Sequence, residues 1–173
     1  KYIDEVEFRT VKEDNSRVLG MIKGDFQGTG GYLPIDQVKR MRDAPNVKIV
    51  EQESMRIMMF QINNQRAPLT DVHVRRAISY AFDYDGFNKD ILGGSVERNP
   101  VPIPNNMWGV PKDVKGYTYN IDKAKQELTL AKVKVDRPLT IGYLQGFSQT
   151  EQAATVMANG LRKGGNDTKL TSE

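Results

Sequence analysis

Hydrophobic and polar residues change rhythm several times along this chain, and each rhythm predicts an element. From Ile3 to Val11 they alternate, with Val6 and Phe8 on one side and Glu7 and Arg9 on the other, as in a half-buried strand. Val18, Leu19, Met21 and Ile22 follow the helix-capping types Asp14, Asn15 and Ser16 and predict a short amphipathic helix ending at Gly24. Ile35, Val38 and Met41 mark the face of a second helix, which stops near Pro45. Residues 46–51 read as a strand with Val47 and Ile49 on one face. The run Ile57-Met58-Met59-Phe60-Gln61-Ile62 is apolar at almost every position and predicts the central strand of a sheet, covered on both faces.

The clearest signal lies between Pro68 and Leu92. Val74, Ala77, Ile78, Ala81 and Phe82 fall on one helical face, Pro68 blocks an earlier start, and Thr70 or Asp71 caps the first free N–H groups. Asp83 stands where a second N-cap is needed, with Asp85 in the following turn. After Gly93-Gly94, the residues Pro100, Pro102 and Pro104 impose an extended loop. Asn120 caps a helix with Ala124, Leu128 and Ala131 on one face. Leu139 to Leu144 is a strand, and Ala153, Val156, Met157, Gly160 and Leu161 repeat at helical spacing after it. At the tail, polar residues from Lys163 to Lys169 replace core positions, so only a weak strand is expected there. Alternating strands and helices predict an α/β lobe with a mixed sheet and helices on its faces.

Candidate chemistry is sparse. Gly28-Thr29-Gly30-Gly31 lacks the Lys-Ser/Thr of a phosphate loop and reads as a connector. Met55, Met58 and Met59 are expected to fill core gaps rather than to face a ligand. His73, the single histidine, is expected at the surface, and no Ser-His-Asp order can be built around it. Arg56 enters the predicted central strand, where a guanidinium forms a surface ion pair or grips a carboxylate. Trp108 beside the proline loop either lines a cleft or pins the loop to the domain, pinning being the preferred reading. Gln145-Gly146-Phe147-Ser148 joins an amide, a ring and a hydroxyl at the end of a strand, where open α/β sheets place ligands. The alternative there is an ordinary connection capped by Ser148.

Composition narrows the classes further. The 173 residues fit one domain, residues 1–173, with a net charge of +3 and acids spread among the bases, which argues against nucleic acid as a partner. The absence of cysteine excludes thiolate chemistry, disulfides and cysteine-based zinc sites, and one histidine argues against direct metal ligation. No apolar run approaches the ~20 residues of a membrane span. No signal segment opens the chain, and Lys1-Tyr2-Ile3-Asp4 reads as the lead into a strand in mid-protein.

Pro68, Asp71, Val72, Val74, Arg75, Ala77, Ile78, Tyr80, Ala81 and Asp83 together match a second-lobe segment of a known family. In these residues the chain resembles the peptide/nickel-type (family 5) solute-binding proteins of ABC importers. Leu69 and Thr70 replace the usual aromatic and Asp, and His73 the first Arg. The likeness continues through Leu92-Gly93-Gly94, Pro102-Ile103-Pro104, Met107-Trp108-Gly109, Tyr117-Thr118-Tyr119-Asn120 and Lys123-Ala124-Lys125. Gly24-Asp25-Phe26-Gln27 matches a family strand, with Gln27 in place of the usual acid.

The resemblance implies a binding protein and no enzyme, periplasmic or extracellular and membrane-associated in some hosts. Two lobes would close on a small organic solute of the peptide, opine or sugar class and deliver it to a membrane permease. The chain would be one α/β lobe, the other lobe of the same protein being absent. The residues expected to face the ligand are Gln145, Phe147, Ser148 and Tyr143, with Arg56 and Trp108; no cofactor, metal or catalytic residue is expected. An isolated wall of this kind is expected to bind poorly. The other class consistent with the length is a stand-alone α/β scaffold or oligomerisation module derived from such a lobe.

Overall fold

The computed structural model describes residues 2–31 and 33–172, so Lys1 lies outside the described residues. The helices are α1 (Asp14–Lys23), α2 (Ile35–Arg42), α3 (Val72–Ala81), the single turn α4 (Tyr84–Gly86), α5 (Ile121–Leu130) and α6 (Ser148–Lys163). A π-helical turn, Phe87–Ile91, continues α4. Strands β1 (Leu139–Tyr143) and β2 (Thr168–Ser172) pair in parallel, with Leu139 opposite Thr168 and Ile141 opposite Leu170. Their connection is α6, as a parallel pair requires a crossover.

The helix ends follow from local chemistry. Asp71 caps α3 by accepting from the His73 amide at 2.8 Å, and its other oxygen accepts from the amides of Lys132 at 2.7 Å and Val133 at 3.3 Å. One carboxylate thus starts α3 and fixes the chain leaving α5. Asp83 accepts from Gly86 N at 2.9 Å and Asn120 from Lys123 N at 2.9 Å, both as their positions predict. At α1 the expected side-chain cap is absent: Glu13 holds the N-cap position, and Asp14 is already helical and paired with Arg17. His73 is not a loose surface residue, because its Nδ1 lies 2.7 Å from Glu127 Oε2 and ties α3 to α5.

The apolar interior is divided. The main cluster joins α3, α6, β1 and the π turn through Val74, Ile78, Phe82, Phe87, Leu139, Ile141, Met157 and Leu161. Rings meet edge-on at Phe82, whose centroid lies 5.5 Å from Phe60, 5.0 Å from Tyr84 and 5.4 Å from Phe87. A smaller cluster of Val18, Leu33 and Met41 is enclosed by α1 and α2, with Val47 and Ile49 packed against it.

The α/β layering holds, but the sheet sits elsewhere than expected. Residues 3–11, 46–51 and 57–62, and the family-like piece at 24–27, carry no ladder. Phe8 is 94% exposed, and Met58 and Met59 are 43% and 49% exposed, so the methionines are not core. The alternation still marks the faces: Phe60 and Ile62 lie against the main cluster and Val47 and Ile49 against the small one. What these segments lack among the described residues is a hydrogen-bonded neighbour, and a strand exists only in a pair. The tail strand expected to be weak does form, because β1 supplies that neighbour and a half-exposed edge tolerates Lys169 and Thr171.

Two tests follow from this packing. A Cβ on buried Gly160 would lie 1.8 Å from the Ala81 carbonyl oxygen. Gly160→Ala therefore forces α6 off α3, and urea unfolding should show a loss at the upper end of the ~1–3 kcal/mol typical of overpacking. The Asp71 carboxyl is held below its ordinary range by the amides of His73 and then Lys132. Its contribution is complete above the ordinary Asp value of about 3.9 and is lost as pH falls through the depressed folded value. Thermal melts of Asp71→Asn should sit below the parent at pH 7, and the gap should shrink progressively under strong acid.

Candidate functional site

Strand β1 runs directly into the turn that the sequence singles out. Phe147 N donates to Leu144 O at 3.2 Å, and Gly146 has φ 82°, the left-handed value that this turn geometry reserves for glycine. Thr150 closes the turn, its hydroxyl donating to Phe147 O at 2.8 Å and accepting from Leu144 N at 3.2 Å. The backbone of the turn is therefore fixed. Gln145 is exposed, Phe147 is 41% exposed, and Tyr143 is half-buried with its body on the main cluster.

Ser148 is not the helix cap. Phe147 takes the N-cap position without a side-chain bond, and the Ser148 hydroxyl donates instead to Asp14 Oδ2 at 2.8 Å. An ionised carboxylate is the stronger acceptor, and Asp14 is within reach only because the fold folds α1 back onto this turn. Two neighbours complete that approach. Gln149 Nε2 donates to Leu33 O at 3.1 Å, and the Lys12 carbonyl oxygen lies 3.1 Å from where a Cβ on Gly146 would stand. Asp14, Lys12 and Leu33 were invisible to the sequence reading as members of this site, since the Ser148–Asp14 bond spans 134 residues.

The other two candidates belong to other segments of the chain. Arg56 is exposed on the extended segment after α2, with its amide donating to Ser54 Oγ at 3.3 Å. Trp108 does not pin its loop: the indole is 93% exposed beside Gly109, which turns the chain outward with φ 77°. Two open hollows also occur, of about 360 Å³ beside Ala67, Pro68 and Arg137 and about 340 Å³ beside Glu51, Glu53 and Glu97. Neither is lined by any of the six candidates. Among the described residues no group of three His, Cys, Asp or Glu could hold a metal ion.

Chemically the turn offers a carboxamide that donates and accepts, an aromatic face and a hydroxyl with lone pairs left to accept. Groups of these kinds suit hydrogen bonding and apolar cover of a small polar organic molecule. Residues 1–173 match the family described as bacterial extracellular solute-binding proteins, family 5 middle. The chain is 32% identical over 165 residues to the Escherichia coli protein named "Probable D,D-dipeptide-binding periplasmic protein DdpA", covering 95% of this chain and 32% of that one. Two peptide complexes are among the solved structures that share the fold. The Helicobacter pylori periplasmic binding protein DppA, in complex with the peptide STSA, superposes with a TM-score of 0.87 at 24% identity over 95% of this chain and 32% of its own. The Bacillus subtilis oligopeptide-binding protein AppA, in complex with a nonapeptide, superposes with a TM-score of 0.85 at 25% identity over 94% of this chain and 35% of its own. The chain thus spans about a third of the length of the relatives it matches.

The left-handed backbone at Gly146 and its closeness to Lys12 give the turn a direct test. Gly146→Ala should lose about 1–2 kcal/mol in urea unfolding from the positive φ alone. Amide chemical shifts should move at Lys12 and Gln145 while those of α5 stay in place.

Proposed function

We propose a function for a chain that belongs to the bacterial extracellular solute-binding proteins of family 5, a family of transport binding proteins and not of enzymes: it supplies a wall of the cleft in which such a protein holds a small organic solute. The observation that carries this reading is the turn from Tyr143 to Ser148, with Gln145 and the Phe147 ring presented to solvent on a backbone fixed by Thr150. The solute class best supported is a short peptide, in keeping with the D,D-dipeptide named for the Escherichia coli relative and the peptides bound in the two structural neighbours. Gln145 would bond a peptide group and Phe147 cover an apolar side chain, with Tyr143 and Ser148 at the two ends of the turn and Arg56 and Trp108 contributing from other segments.

The whole protein would close the remaining polypeptide over this wall, as hinged lobes do, and pass the solute to an ABC permease from the periplasm or cell exterior. Residues 2–12 and 46–62 support that part of the reading, being patterned for burial yet without helix, strand or ladder partner among the described residues. An isolated wall buries little of a ligand, so the 173-residue chain by itself would bind peptide weakly.

Calorimetry with alanyl dipeptides of both stereochemistries tests the assignment on the polypeptide as its gene encodes it. Gln145→Ala and Phe147→Ala should each weaken Kd about tenfold or more, which corresponds to roughly 1.4 kcal/mol. An unchanged Kd in both variants would remove the turn from the binding wall. The 173-residue chain titrated alone should give no heat at micromolar peptide.

A further inference from the structure

We propose that the hollow of about 360 Å³ before β1 is a second binding site, for a phosphate group carried on a short organic body, and that Lys134 and Arg137 hold it. Its walls are the Ala67–Pro68 step ahead of α3 and residues 133–137 between α5 and β1. Both walls are tied in place. Asp71 at the head of α3 accepts from the amides of Lys132 and Val133, and Arg137 Nη2 donates to Ala67 O, joining one wall to the other. Pro68 is buried and Val133 half-buried, so part of the lining is apolar.

The positive charge of this corner is uncompensated. Elsewhere Arg9, Arg17, Arg42 and Arg98 meet the carboxylates of Glu7, Asp14, Glu51 and Asp85. Here the guanidiniums meet carbonyls: Arg75 Nη1 donates to Leu69 O at 2.8 Å and to Thr70 O at 3.0 Å, and Arg137 donates to Ala67 O. A carbonyl satisfies an N–H group without cancelling the charge, which is left for an anion. Among the described residues, Arg137 Nε and Nη1 and the Lys134 ammonium have no partner, and both side chains are exposed. Arg66 and Lys132, also exposed, adjoin the lining in sequence. Asp136 is the carboxylate on the lining, and Asp71 is already occupied by amides. A guanidinium with N–H groups to spare and an ammonium on the same wall suit the oxygens of a phosphate. Ala67, Pro68 and Val133 suit a short carbon body attached to it. The hollow is separate from the turn at Gly146, since Arg137 precedes β1 and Leu144 follows it, with a strand of 5 residues between them. That strand spans about 16 Å, so the site stands independently of the binding wall proposed above.

Glycerol phosphate titrated into the isotope-labelled chain at constant ionic strength tests the site. Amide shifts of Ala67, Val133, Lys134 and Arg137 should move and saturate with a Kd on the order of 1 mM, while those of Gln145 and Phe147 stay in place. Lys134→Glu should weaken Kd about tenfold or more. Arg137→Lys, which keeps the charge and loses the planar fork, should weaken it about threefold or more. Lys134 is exposed and bonds to nothing among the described residues, so its variant should keep the parent's far-UV circular dichroism. Sedimentation with phosphatidylglycerol vesicles, against phosphatidylcholine vesicles, separates the two sources of the phosphate. Retention that Lys134→Glu abolishes assigns a lipid headgroup, and saturable shifts without retention assign a soluble phosphate ester. Shifts that grow without saturating, or that sodium chloride alone reproduces, would overturn the site, as would an unchanged Kd in Lys134→Glu. Peptide binding at the Gly146 turn plays no part in these readouts, so the two readings fail separately.

Discussion

Where α6 crosses the end of α3, only the hydrogen of Gly160 separates one backbone from the other, and the main body is arranged around that approach. Ala153, Ala154 and Ala158 are buried along the same helix, so small side chains let α6 lie close to its neighbours throughout. Because α6 is also the crossover between β1 and β2, its seat on α3 decides where the parallel pair stands. Phe82, just past the end of α3, is then turned into a nest of rings from three other segments. The turn at Gly146 is the entry to α6 and inherits its position from the same contact.

The helices were legible because each closes its own hydrogen bonds and declares its buried face at a spacing of 3.6. Val74, Ala77, Ile78 and Ala81 are buried as their spacing predicts, and Asp71, Asp83 and Asn120 cap where expected. Strands declare only a face. Val47, Ile49, Phe60 and Ile62 do pack inward, yet the ladders assigned to their segments are absent because pairing depends on a second segment that local pattern does not name. The converse holds at Thr168–Ser172, where a polar pattern concealed a strand that β1 makes possible.

The site was half legible for the same reason. Gln145, Gly146 and Phe147 are neighbours in sequence, and their turn chemistry is local, so strand, glycine and helix start sufficed to place that turn. Ser148 fits a capping role by type, and nothing near it in sequence announces Asp14, whose carboxylate takes its hydroxyl. Trp108 shows the limit of reasoning from residue type: an indole beside prolines suggests an anchor, and here it stands in solvent. His73 errs the other way, since its flanking arginines hid the partner Glu127 contributed by α5.

The two apolar clusters are unequal, and the inequality bears on how the α1–α2 unit is held. Val18, Leu33 and Met41 at about 1.5–3 kcal/mol each cannot offset the ordering of two helices, so the α1–α2 unit depends on its attachments to the main body. Had those attachments been apolar, each buried 100 Å² would contribute on the order of 2.5 kcal/mol, and the seam would become part of the core. Single hydrogen bonds contribute only about 0.5–1.5 kcal/mol net, because water offers the separated groups almost as much. A joint made from Ser148, Asp14, Gln149 and the Leu33 carbonyl therefore adds less stability than a shared apolar core would, but it fixes one register, since hydrogen bonds are directional where apolar contact is not. Strength is thus concentrated where α6 lies on α3, and register where α6 begins.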